Sequence, residues 1–160
     1  NHQFFNKMKH LSTTDLLTDV LNRNAMNNRI TDITTGKSLW DRPYGVVFID
    51  VNGLKVVNDR DGHLAGDHLL KSAAVMIKNV FHSHEIFRIG GDEFLVLVTD
   101  CERDEFLKFV ERIREASERS DTVKLAIGAC YSDDNMDIRD AMHQADERMY
   151  RDKEAYYNRK

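Results

Sequence analysis

The chain has 160 residues, of which 41% are hydrophobic and 31% are charged, with one proline and eight glycines. This composition is typical of one compact globular domain and excludes a disordered or fibrous chain. The 23 basic and 27 acidic residues give a net charge of -4, so no excess of positive charge favours nucleic acid as a partner.

The first half of the chain predicts a helix, a buried strand and a second helix. Apolar residues at helical spacing indicate that residues 1–13 are the end of a linker helix from a preceding region, and 14–160 are then the domain itself. A capped helix is predicted over 22–34. The apolar run YGVVFIDV at 44–51 predicts a strand buried on both faces, followed by an amphipathic helix at 69–81.

A hairpin is the firmest local prediction in the second half. Strand-like runs at 86–89 and 93–98 flank Gly90, Gly91 and Asp92, and the glycine pair suits a type I′ turn. The remaining elements are predicted to be a helix at 106–116, a strand at 123–131 and a closing helix at 138–149. This order predicts an α+β fold, in which a mostly antiparallel sheet carries helices on its faces.

Three acidic residues lie where predicted strands end or begin. Asp50 closes the buried strand, and Asp92 and Glu93 lie at the tip of the hairpin. If the hairpin pairs beside the 44–51 strand, these carboxylates converge and form a set of hard oxygen ligands that suits Mg²⁺. Alternatively, Asp50 caps the next helix and the other two are solvated turn residues.

Polar residues follow the buried strand directly. Gly53 and Lys55 can hold phosphate through backbone N–H groups and a point charge at a helix start. A solvated lysine without a phosphate role explains Lys55 equally well. An Asn amide together with an Asp carboxylate can also read the edge of a purine. The polar residues that crowd this stretch are Asn58, Asp59, Asp61, His63 and Asp67.

Several other candidates are weaker. His82 and His84 form an H-x-H pair, which we interpret as solvated loop histidines and not as a metal site. Lys153 is either a helix-end cation or a phosphate contact. We interpret four aromatic residues as packing residues and not as a stacking platform: Trp40, Tyr150, Tyr156 and Tyr157.

Cysteine content and hydropathy bear on the compartment. Cys101 and Cys130 are too few for a disulfide framework and lack metal-ligand spacing, which favours buried, inert thiols in a reducing, cytoplasmic environment. No apolar run approaches the roughly 18 residues of a membrane span, so we expect no membrane contact by this chain.

Four motifs, in order, resemble the signature of the GGDEF family of diguanylate cyclases: DLLTDVLNR at 15–23, IDVNGLKVVNDRDGHLAGD at 49–67, RIGGDEF at 88–94 and ADERMYRDK at 145–153. The resemblance covers nearly the whole domain. It implies a palm-like fold of the nucleotide-cyclase and ferredoxin-like type, with a central, mostly antiparallel sheet. It also implies that two GTP molecules are condensed into cyclic di-GMP, with release of pyrophosphate, by two domains that face each other as a homodimer.

The resemblance also implies roles for individual residues, by matching position. It implies Mg²⁺ or Mn²⁺ as the cofactor, with Asp92 and Glu93 as catalytic residues. The implied metal ligands are Asp50, the Val51 carbonyl, Asp92 and Glu93. The residues implied to bind phosphate are Gly53, Leu54, Lys55 and Lys153, and those implied to recognise guanine are Asn58 and Asp67.

The chain departs from the family pattern at several positions. Asn52 stands where many members have a second Asp, and Asp19 replaces a glycine that is common in the opening motif. Tyr156 and Tyr157 stand where many members have Gly-Arg, so that one phosphate-binding arginine is either missing or shifted to Arg159. The family's inhibitory product site is usually RxxD shortly before the glycine pair.

At the positions matching RxxD the chain has Phe81 and His84, so no inhibitory site is expected.

Two functions from different classes remain at this point. The leading hypothesis is a diguanylate cyclase that receives its signal from a sensory region preceding residue 1. The alternative is a catalytically silent module that binds GTP in the same pocket and acts as a sensor. The intact acidic residues favour the enzyme, because a site that only binds has no need of so many carboxylates.

Overall fold

The computed structural model describes residues 12–36, 43–134 and 136–159, so residues 1–11 of the predicted linker helix and Trp40 lie outside the described residues. Within these ranges the elements are, in chain order, α1 (Arg23–Thr34), β1 (Tyr44–Val51), α2 (Leu54–Asp61), α3 (His63–Phe81), β2 (Glu85–Arg88), β3 (Glu93–Thr99), α4 (Arg103–Arg119), β4 (Leu125–Ser132) and α5 (Ile138–Asn158). None of these described helices is long and apolar enough to cross a membrane.

The strands form one antiparallel sheet in the order β2-β3-β1-β4, which confirms the predicted α+β fold. All eight residues of β1 are buried, as its unbroken apolar run predicts for an inner strand covered on both faces. The hairpin of β2 and β3 pairs with β1 through β3, so that Asp50 lies opposite Glu93 in the register. The sheet therefore brings the predicted acidic residues to one edge.

Helices cover both faces of the sheet and form two cores. Because successive side chains of a strand point to opposite faces, β1 contributes to both. Val47 and Ile49 pack against α3 and α4, and Val46 and Phe48 pack against α1 and α5. The loss of either core would displace β1, and with it the acidic residue at its end.

A glycine allows α5 to lie close on the sheet. A Cβ atom built on Gly128 of β4 would come within 2.1 Å of both the Ala145 carbonyl oxygen and the Met149 nitrogen. A side chain at this position would push the helix away from the sheet. This close approach positions the C-terminal half of α5 beside the end of β1.

The structure differs from the predictions in several places, and the closing helix, predicted over 138–149, extends to Asn158. The helix predicted over 69–81 begins at His63, directly after Gly62. The φ of 90° at Gly62 interrupts the helical conformation and separates α2 from α3. The type I′ expectation for the hairpin is wrong, because neither Gly90 nor Gly91 has a positive φ. The Ile89 N–H instead donates to the Glu93 carbonyl at 2.9 Å and closes a wider loop.

Asp19 adopts a left-handed conformation, with a φ of 60°. This conformation is costly for a residue with a Cβ atom and easy for glycine. We expect Asp19→Gly to raise the free energy of unfolding by about 0.5–1 kcal/mol, measured by urea denaturation. Asp19→Ala, which lacks a polar side chain suited to this conformation, should lower it, and equal stabilities of all three proteins would contradict the explanation.

Candidate functional site

Three carboxylates converge where β1 ends and β3 begins. One oxygen atom from each of Asp50, Asp92 and Glu93 lies within 4.8 Å of the other two. The backbone holds this arrangement, because the Val51 N–H donates to the Asp92 carbonyl at 2.9 Å. Carboxylate oxygens gathered in this way form a ligand set for a hard divalent cation such as Mg²⁺ or Mn²⁺.

The electrostatics of this acidic cluster also favour a cation. Burial, and then the neighbouring Asp92, raise the pKa of Asp50 to about 6, although Lys153 opposes the shift. Burial and Asp92 likewise raise the pKa of Glu93. The Asp50 Oδ1 atom is buried and has no hydrogen-bond partner within the protein. An unpartnered carboxylate oxygen among like charges is costly, and a bound cation would remove this cost.

The segment after β1 forms a left-handed turn into α2. Gly53 has a φ of 79° and precedes the first residue of the helix, and no side chain caps this helix end. The early amide groups of α2 therefore carry the partial positive charge that suits phosphate. The Gly53 N–H donates to the Tyr157 hydroxyl at 2.9 Å, and Lys55 is exposed one residue into the helix.

Helix α5 brings two side chains to this site from one face. Lys153 Nζ lies 3.2 Å from Asp50 Oδ2, and Tyr157, one turn later, contacts Gly53. Arg159 lines a cavity of about 280 Å³ together with Asn52, Asp152 and Tyr156. The side chain that contacts the Gly53 N–H is thus Tyr157.

The interpretation of the tyrosines as packing residues is wrong for Tyr150 and holds only in part for Tyr157. Tyr150 is 59% exposed and Tyr157 is 41% exposed. The ring of Tyr157 packs edge-on against Tyr156, with ring centroids 5.1 Å apart, while its hydroxyl reaches the turn at Gly53. The sequence offered one signal of this contact, namely that Tyr157 lies four residues after Lys153 and therefore on the same helix face.

Asn58 of α2 lies against α3 at Gly66, the residue before Asp67 in the chain. A Cβ atom built on Gly66 of α3 would lie 1.7 Å from the Asn58 Oδ1 atom, so the Asn58 amide rests directly on the backbone of α3 beside Asp67. Both side chains are half-buried. An amide and a carboxylate can together match the donor and acceptor groups of one purine edge.

The geometry agrees with comparisons to known proteins. Residues 12–159 match the GGDEF family, described as "Diguanylate cyclase, GGDEF domain". The chain belongs to the GGDEF family. Diguanylate cyclase DosC from Shigella sonnei (strain Ss046) is 31% identical over 152 residues, which are 89% of this chain and 33% of DosC.

A second curated relative supports the family, and a solved structure supports the fold. Probable diguanylate cyclase DgcT from Escherichia coli (strain K12) is 32% identical over 163 residues, which are 94% of this chain and 36% of DgcT. The chain therefore spans about a third of the length of these curated relatives. The crystal structure of the GGDEF domain of FimX from Pseudomonas aeruginosa has the same fold, with a TM-score of 0.80 at 18% identity, over 90% of this chain and 95% of that chain.

In this GGDEF domain the arginine that precedes the glycine pair is already engaged. The Arg88 guanidinium pairs with Asp15 at 3.2 Å and donates to the Gly91 carbonyl at 2.8 Å. At the positions that match RxxD, Phe81 is fully buried, and His84 packs edge-on against Phe109. Sequence reasoning missed the pairing of Arg88 with Asp15, because 73 residues separate them along the chain.

The remaining metal-site candidate is the histidine pair. Within the described ranges, the acidic cluster is the sole group of three or more potential ligands, and neither His82 nor His84 belongs to it. Burial lowers the pKa of His84, which favours its neutral form. Both cysteines are buried free thiols, as the sequence predicts.

Proposed function

We propose that this GGDEF domain is a diguanylate cyclase, which condenses two GTP molecules into cyclic di-GMP and releases pyrophosphate. The observation that carries the proposal is the convergence of Asp50, Asp92 and Glu93 at the strand ends, with one buried Asp50 oxygen left without a partner. A module that bound GTP without a metal ion would gain nothing from three carboxylates placed so close together, since they repel one another and the triphosphate.

The acidic cluster is the proposed metal centre, with Asp50, Asp92, Glu93 and the Val51 carbonyl as ligands for Mg²⁺ or Mn²⁺. A divalent cation bound there would supply charge neutralisation at the α-phosphate and would lower the pKa of the attacking 3′-hydroxyl. Asp92 and Glu93 lie at the tip of the hairpin, where they face incoming substrate. Glu93, which belongs to the same cluster, is the proposed carboxylate that accepts the proton of that hydroxyl.

The remaining residues position the nucleotide. The turn at Gly53 and Leu54 presents backbone N–H groups to the phosphates, and Lys55 and Lys153 add positive charge. The Asn58 amide and the Asp67 carboxylate bind the guanine edge. In each condensation the 3′-oxygen of one GTP forms a bond to the α-phosphorus of the other, the bond to the β-phosphate oxygen breaks, and pyrophosphate leaves.

A cyclic product requires two such condensations, and each domain holds one GTP. We therefore propose that two copies of the chain face each other during turnover, brought together by a sensory region that precedes residue 1 in the whole protein. The free thiols of Cys101 and Cys130 favour a reducing, cytoplasmic location for this activity.

Product feedback should be absent from this enzyme. The position matching the RxxD arginine is the buried Phe81, and Arg88 is held by Asp15 and the Gly91 carbonyl. We expect cyclic di-GMP at micromolar concentration to leave the initial rate nearly unchanged in a coupled pyrophosphate assay. Strong non-competitive inhibition that persists in Arg88→Ala would reveal a product site elsewhere.

The dependence of rate on dimerisation tests the proposed function. The chain fused to a dimeric coiled coil should convert GTP to cyclic di-GMP in Mg²⁺, while the unfused chain should be slow, with a rate per molecule that rises with concentration. A rate per molecule that is independent of concentration would contradict the two-domain arrangement. GTP binding without product in the fused dimer would favour the silent sensor module instead.

A further inference from the structure

The turn at Gly53 and Leu54, called the phosphate turn because it binds the GTP phosphates under the proposed function, already contacts a side chain of the protein. The Gly53 N–H, the first amide of the turn into α2, donates to the Tyr157 hydroxyl at 2.9 Å. Gly53 has a φ of 79°, in the left-handed region, and no side chain caps the start of α2. The tyrosine oxygen therefore lies where an acceptor atom of a ligand would have to lie to bind this amide.

The contact is held from the tyrosine side as well. Tyr157 is in the last turn of α5, and its ring packs edge-on against Tyr156 at 5.1 Å between centroids. The close approach of α5 to the sheet at Gly128 sets the distance between the helix and the turn. Since Tyr157 is 41% exposed, the side chain has solvent into which it can move.

The acidic cluster also has a partner from α5. One turn before Tyr157, the Lys153 ammonium pairs with Asp50 at 3.2 Å. The same helix face thus supplies a cation to the acidic cluster and an acceptor to the phosphate turn. These are the two interactions that a bound metal and a triphosphate would otherwise make.

We propose that Tyr157 sets the affinity of this site for nucleotides by competing with a phosphate oxygen for the Gly53 N–H. This inference rests on the proposed function, in which the Gly53 turn binds the GTP phosphates. An amide N–H donates one strong hydrogen bond at a time, so the tyrosine hydroxyl must leave before a phosphate oxygen can bind there. Each binding event therefore loses one protein hydrogen bond.

Tyr157→Phe removes the competing oxygen and keeps the ring. The test uses the 160-residue chain and guanosine 5′-[α,β-methylene]triphosphate with Mg²⁺, a GTP analogue whose methylene bridge prevents condensation. By calorimetry, we expect Tyr157→Phe to bind the analogue about two- to tenfold more tightly than the unsubstituted chain, the range for one net hydrogen bond. Guanosine, which has no phosphate, should bind both proteins equally. Tyr150→Phe, an exposed tyrosine on the same helix, is the matched control and should match the unsubstituted chain.

A second measurement follows the amide itself. In ¹⁵N-labelled protein without nucleotide, the Gly53 amide proton should shift and exchange faster with solvent in Tyr157→Phe but not in Tyr150→Phe. Equal or weaker analogue binding by Tyr157→Phe, or no analogue binding by either protein, would overturn the inference. The proposed function fails in a different way, if Tyr157→Phe binds the analogue more tightly while the fused dimer makes no cyclic di-GMP.

Discussion

Asp92→Asn in the fused dimer should lower the rate of cyclic di-GMP formation by at least about 100-fold. The substitution keeps the size of the side chain but removes one of the three negative charges that would hold the proposed cation. Asp92 lies in the hairpin loop outside both hydrophobic cores, so the fold does not depend on it. The rate is measured by following pyrophosphate release at saturating GTP and Mg²⁺.

Stability separates a catalytic effect from a structural one in this experiment. Asp92 raises the pKa of both Asp50 and Glu93, so removing its charge relieves repulsion. The melting temperature of Asp92→Asn should therefore be unchanged or slightly higher. Glu111→Gln, an exposed position in the middle of α4, is the matched control for loss of one carboxylate and should keep the full rate. Near-normal turnover by Asp92→Asn, with a native melting curve, would place catalysis elsewhere.

Asn58→Ala and Asp67→Ala should each weaken GTP binding by about 1–3 kcal/mol, because each leaves one part of the guanine edge without its hydrogen bonds. Both variants should also discriminate less against ATP, whose base presents different donors and acceptors. The measurement is the affinity for non-condensing analogues of GTP and ATP. Lys55→Ala should weaken the binding of both nucleotides together, since it removes only a phosphate contact.

Gly66 provides a sharper test of the same site. The Asn58 amide rests on the Gly66 backbone, and a Cβ atom there would overlap its oxygen at 1.7 Å. Gly66→Ala should therefore displace the Asn58 side chain and reduce preference for GTP over ATP, although both proposed guanine-binding residues remain. Asn28→Ala, an exposed asparagine on α1, serves as the control. Equal effects of all these substitutions on GTP and ATP would contradict the division between base and phosphate contacts.

The convergence of the acidic residues could be predicted because it depends on local patterns and on one pairing. The apolar run before Asp50 indicates a buried strand, and the glycine pair before Asp92 indicates a hairpin. Once β3 pairs with β1, the register alone places Asp50 opposite Glu93. The first residues of the helices are harder to predict from the sequence, because the turn at Gly62 is defined by a backbone angle that composition does not determine.

Contacts between distant parts of the chain could not be read from local patterns. The hydrogen bond from Gly53 to Tyr157 spans 104 residues, and the pairing of Arg88 with Asp15 spans 73. Each depends on how closely a helix or loop packs on the sheet, which small residues such as Gly128 decide. The aromatic ring of a tyrosine near the C-terminus suggests a packing role. Only the position of α5 reveals that the Tyr157 hydroxyl reaches the turn at Gly53.

The stoichiometry of products tests the central claim most directly. The chain fused to a dimeric coiled coil is incubated with GTP, once with Mg²⁺ and once with EDTA, and products are quantified by mass spectrometry and a pyrophosphate assay. A diguanylate cyclase should form cyclic di-GMP and release two pyrophosphates per product molecule in Mg²⁺, and should form neither in EDTA. GTP bound in Mg²⁺ without release of pyrophosphate, or pyrophosphate released without cyclic di-GMP, would contradict the account.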